Sequence, residues 1–199
     1  GNLGLFNVAQ VCKQEKPAHY RKIITEHFDA LIRAKKFDLE FEKIANNFEQ
    51  VKRYIGVRLH NHQYIFTIGS ENFIGKEFCG DVYAMIVFNF PDAITSIKPE
   101  QIVAWNTTID ELFEIGLKNI ENAYPVNVSK QKFADFSIYF AQGEHFFTPN
   151  IALHIESRKE LIGSKGSLVG LPHRHAAIIY PIQDIEVVKA INILIPTVE

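Results

Sequence analysis

The chain has 199 residues, 47% of them hydrophobic and 22% charged, with a formal net charge of −2. That is enough chain for one ordinary domain or two small ones, with the composition of a globular protein. The near-neutral charge argues against nucleic acid or anionic lipid as a general partner, and no apolar run approaches the roughly 18 residues of a membrane span.

The first third reads as helical. Pro17 suits a first helical turn, and Ile23, Ile24, Phe28, Leu31 and Ile32 recur at helical spacing. His27 shares that stripe and reads as a packed core histidine. Asp38 is expected to cap a second helix carrying Phe41, Ile44, Ala45, Phe48 and Val51. Lys35, Lys36, Lys43, Lys52 and Arg53 interleave with acids, as a solvated face does. The period then changes to two. Val57–His62 alternates, Tyr64–Ile68 is β-rich and Asn72–Phe78 reads as a further strand, with turns at Gly69-Ser70 and Gly80-Asp81. Val82–Phe90 is apolar almost throughout and is expected at the centre of a sheet.

Thr108 with Glu111 fits a capping box for a helix whose Leu112, Phe113, Gly116, Leu117 and Ile120 share a face. Gly116 is expected where another backbone approaches closely. Phe136–Ala141 and Glu144–Phe147 are expected to pair as a hairpin about Gln142-Gly143. Thr148-Pro149 opens a helix that reaches Leu161, and the strands Ser167–Leu171 and His175–Ile182 flank Pro172. Asp184 caps a last helix with Val187, Val188, Ile191, Leu194 and Ile195 inward. The fold class is α+β, a mostly antiparallel mixed sheet covered by helices. Residues 1–199 read as a single domain, and a division into subdomains 1–95 and 96–199 is the alternative.

Cys12 and Cys79 make no disulfide framework and read as reduced thiols of a cytoplasmic protein. The chain begins with Gly1, which leaves open a leader removed from the N-terminus. Asn106-Thr107-Thr108 and Asn127-Val128-Ser129 match the glycosylation sequon and read as chance.

Chemistry concentrates in two His-x-His pairs, His60 with His62 and His173 with His175. On a strand, residues i and i+2 share a face, so each pair could converge on one divalent metal such as zinc, with Asp81, Glu77 or Asp184 supplying a carboxylate. Arg174, between two histidines, is expected to point away from them and either grip a carboxylate or phosphate or pair with Glu186. Cys79 reads as a buried structural thiol, the alternative being a nucleophile on the Cys79-Gly80-Asp81 turn. Gly163-Ser164-Lys165-Gly166-Ser167 lacks phosphate-loop spacing and reads as a turn. Phe133, Phe136, Tyr139, Phe140, Phe146 and Phe147 are core, or a binding face for a partner protein, a second copy or a small apolar ligand.

Trp105, then Thr108-Ile109-Asp110-Glu111-Leu112-Phe113-Glu114-Ile115-Gly116-Leu117-Lys118-Asn119-Ile120, and later Val169-Gly170-Leu171-Pro172-His173-Arg174-His175, resemble the YtpQ-like bacterial proteins of unknown function. Leu59, in Val57-Arg58-Leu59, belongs to the same likeness, which covers mainly residues 100–195. Gly116 departs from the alanine usual in that pattern, and His175 from an acid. The resemblance implies a cytosolic bacterial protein and transfers no chemistry.

The expected function is therefore a ligand- or protein-binding module without catalytic activity and without a cofactor, using His173, Arg174 and His175. A metal-dependent hydrolase on His60, His62, His173 and His175 is the second reading. A structural, homo-oligomerising protein is the third.

Overall fold

The computed structural model describes residues 5–133 and 136–198. The class is α+β, as expected, but the strands divide into two antiparallel four-stranded sheets.

The N-terminal region is helical. Helix α1 (Leu5–Gln14) lies against α2, which runs unbroken over Tyr20–Glu42 after a 3₁₀ turn opened by Pro17. Asp38 therefore caps nothing. The break comes at Lys43–Asn47, where Asn47 accepts from the Gln50 N–H and starts α3 (Phe48–Val51). Phe41 is the buried residue of α2, while Ile24, Phe28 and Ile32 stay exposed. His27 is half-buried, edge-on to Phe28.

The first sheet contains β1 (Ile55–Asn61), β2 (Gly75–Cys79), β3 (Val82–Asn89) and β4 (Ile94–Ser96). As expected of its apolar run, β3 is central: β1 pairs with one side, β2 and β4 with the other. Ile55, Val57, Ala84, Ile86 and Phe88 pack on one face with Phe41, Trp105, Leu112 and Phe113. Trp105 closes α5 (Pro99–Trp105) and donates its indole N–H to the Ala45 carbonyl at 2.7 Å.

Tyr64–Ile68 is helix, not strand. Asn61 ends β1 and its side chain accepts from the Tyr64 N–H at 3.0 Å, capping α4 (His62–Ile68). That local cap overrides the β propensity of the aromatic and branched residues that follow.

Helix α6 (Ile109–Ala123) is capped by Thr108, whose hydroxyl accepts from the Glu111 N–H. The Glu111 carboxylate turns to the Thr107 hydroxyl rather than closing the box. Gly116 lies directly on the β1 backbone, where an added Cβ would stand 2.9 Å from the Gly56 carbonyl carbon. One turn on, the Asn119 amide donates to the carbonyls of Ile55 and Lys52, both at 2.8 Å.

The second sheet has the order β5 (Asn127–Phe133), β6 (Phe136–Gln142), β8 (Ala176–Pro181), β7 (Ser167–His173). The hairpin partner of β6 is β5, and Glu144–Phe147 is irregular. Strand β5 escaped prediction because it is an edge strand, exposed along most of its length. Helix α7 (Val187–Val198) covers one face with Ala190 and Leu194, while Val188 and Ile195 face outward. The segment Thr148–Leu161, two 3₁₀ stretches rather than one α-helix, covers the other face through Ile151 and Leu161. It also reaches the first sheet, where the buried Asn150 donates to the Val57 carbonyl at 2.7 Å.

Candidate functional site

Alternation along β1 sends Ile55, Val57 and Leu59 to the helix side and Arg58 and His60 to the other. There Arg58 is opposite Met85, and His60 opposite Tyr83, on β3. The β7–β8 turn delivers His173, Arg174 and His175. The two meet at Phe146: the Arg174 guanidinium lies 4.2 Å from the ring centroid, that of Arg58 5.4 Å, and the His175 ring 5.3 Å.

Arg58 is half-buried and Arg174 exposed. Among the described residues neither forms a salt bridge, whereas Glu186, offered as a partner for Arg174, binds Lys189 at 3.1 Å. Burial pulls Arg58 below its ordinary pKa and the charge of Arg174 adds to this, against an opposing effect of Tyr64. Arg174 does not point away from its neighbours, since its Nε–H donates to His175 Nε2 at 3.2 Å.

The histidine pairs do not act as strand pairs. His60 stacks on Tyr64 with centroids 3.9 Å apart, whereas His62 opens α4 and contacts the Tyr83 hydroxyl through Nδ1 at 3.3 Å. Burial, then Arg58, lowers the His60 pKa to about 4. His173 ends β7 and His175 lies in the turn, their rings 6.0 Å apart. The same-face rule needs a strand running through both residues, and here each strand stops between them. A neutral imidazole has one lone pair to give a metal. That of His173 Nδ1 accepts the His175 N–H at 3.2 Å, and that of His175 Nε2 accepts Arg174. Among the described residues no three His, Cys, Asp or Glu side chains gather as a metal site.

His145 stands behind the corner. Its Nδ1 accepts the Phe147 N–H at 3.2 Å, which leaves Nε2 carrying the proton, buried and without a hydrogen-bond partner among the described residues. Burial lowers its pKa, and His175 lowers it further.

The remaining candidates separate. Cys79 is exposed, not buried, and Gly163–Gly166 is a turn closed by a bridge. The aromatic run is shared out: Phe147 is buried, Phe136 and Phe140 pack with α7, Tyr139 packs on the opposite face, and Phe133 and Phe146 are exposed. Sequence reasoning missed Arg58 and the special place of Phe146. The available signal was the alternation that puts Arg58 on the His60 face.

No protein-family profile matches the chain, and no curated protein or solved structure is detectably similar to it. No described helix is long and apolar enough to cross a membrane.

Proposed function

We propose that this protein is a binding module for an anionic group, a carboxylate or a phosphate, held at the corner formed by Arg58, Arg174 and His175 around Phe146. The observation that carries the reading is two guanidiniums over one phenylalanine with no carboxylate to answer them among the described residues. A partly desolvated charge beside a like charge is unfavourable, and a bound anion would relieve both terms with charge-assisted, bidentate hydrogen bonds. The Phe146 ring attracts both guanidiniums by cation–π contact and offers them no hydrogen-bond acceptor.

Acetate and inorganic phosphate, titrated at constant ionic strength with chloride as the reference, test this. Each is expected to raise Tm in the native protein and to lose that effect in an Arg58→Met/Arg174→Gln double variant. A shift equal to that of chloride, or one that survives in the double variant, rules the reading out.

A further inference from the structure

Between the C-terminal end of α6 and the 3₁₀ segment lies a cavity of about 240 Å³. Ile120, Phe147 and Ile151 give it apolar walls, and Asn150, Arg158 and Glu121 also line it. None of the residues of the arginine corner does. The volume is below that usual for drug-sized ligands and limits an occupant to a small molecule.

Asn150 is 4% exposed. Its Nδ2 faces the Val57 carbonyl, which can only accept, so the orientation of the amide is fixed and Oδ1 is left as a buried acceptor with no donor among the described residues. Such an atom is unfavourable until a donor reaches it. Arg158 is half-buried, and one of its Nη groups donates to the Val126 carbonyl at 3.3 Å, which holds the guanidinium in place. Glu121 is exposed in the last turn of α6, where the partial negative charge of the helix end adds to its own. Among the described residues neither Glu121 nor Arg158 forms a salt bridge. An acid and a base that share one cavity without pairing leave room for a molecule that carries both charges.

From this set of groups we infer that the cavity binds a small free α-amino acid with an aliphatic side chain. The ammonium donates to Asn150 Oδ1 and Glu121, the carboxylate accepts from Arg158, and the side chain rests on Ile120, Phe147 and Ile151. The site is separate from the arginine corner and does not depend on the anion reading.

Calorimetric titration of the full chain tests this, in the native protein and in the Arg58→Met/Arg174→Gln variant, where the corner no longer contributes. L-Valine is expected to bind both proteins equally. In the double variant isovalerate, which lacks the ammonium, and isobutylamine, which lacks the carboxylate, are each expected to bind at least about tenfold more weakly than valine. L-Tryptophan, too large for the cavity, should be weaker by about the same factor. Glu121→Gln, at an exposed position of the otherwise native protein, should weaken valine by roughly threefold without lowering the Tm of the free protein. Valine that gives no heat would mean that water alone meets Asn150 and would overturn the inference. So would an analogue or tryptophan as tight as valine, or undiminished valine binding by the Glu121→Gln variant. Valine binding lost in the double variant while that variant keeps its fold would overturn it as well and place the ligand at the corner. The anion reading stands or falls separately, on acetate and phosphate.

Discussion

Strand β1 presents two unlike faces. On one, Ile55, Val57 and Leu59 enter a core closed by helices, where even a methyl group has no room at Gly116 of α6. On the other, Arg58 and His60 meet the second half of the molecule through rings and charges rather than aliphatic packing. A single strand thus anchors the fold with its odd residues and carries the candidate site with its even ones. Burial of the first set holds the second in place, so changes on the two faces should be felt differently, as stability on one and as binding on the other.

The largest effect is expected at the tight contact. Gly116→Val sets side-chain atoms against the Gly56 backbone and should cost about 3 kcal/mol or more in urea unfolding. A loss under 1 kcal/mol would mean that α6 can ride away from β1 and that the closed face is not closed. Next comes Asn150→Ala, which strips the Val57 carbonyl of its donor. Because Asn150 Oδ1 is itself unpartnered among the described residues, the loss should be only about 1–2 kcal/mol.

The pH dependence probes the open face. His60 stays neutral in the fold down to about pH 4, whereas an unfolded histidine takes up its proton near 6.5. Between those values the unfolded chain binds more protons, so the contribution is complete above pH 6.5 and is lost as pH falls toward 4. His145, also lowered, acts in the same direction. His60→Phe, which keeps a ring against Tyr64, should reduce the stability difference between pH 7 and pH 4.5 by roughly 1 kcal/mol, after allowing for partial exposure. An unaltered pH profile would remove His60 from the desolvated set. The smallest effect belongs to Arg174→Gln, expected within about 0.5 kcal/mol of the native protein because the side chain is exposed. A clear destabilisation there would make the arginine a structural strut rather than a receptor for an anion.

Much of the closed face could be read in advance. The apolar run of β3, the Thr108 cap and the need for glycine at 116 each follow from a local rule that the surroundings do not contradict. The open face was legible only in fragments. Arg174 and the histidines stood out by composition, but pairing them by an i, i+2 rule assumed that strands continue through Asn61 and Arg174. One asparagine cap turns the first into a helix, and a tight turn ends the second. Arg58 meets Phe146 across 88 positions of chain, a contact that periodicity cannot report because it depends on how two sheets are placed. Strand β5 was lost for a related reason: its exposed polar residues carry no core pattern, and only pairing with β6 makes it a strand.

The two asparagines that reach β1 have one more consequence. Strand β1 is an outer strand of its sheet, and the Ile55 and Val57 carbonyls, two residues apart, already receive the amides of Asn119 and Asn150. An incoming strand would need those acceptors to extend the ladder. Two side chains from distant parts of the chain thereby blunt a rim that would otherwise invite intermolecular strand addition, and they protect the molecule from aggregating through its most hydrophobic sheet.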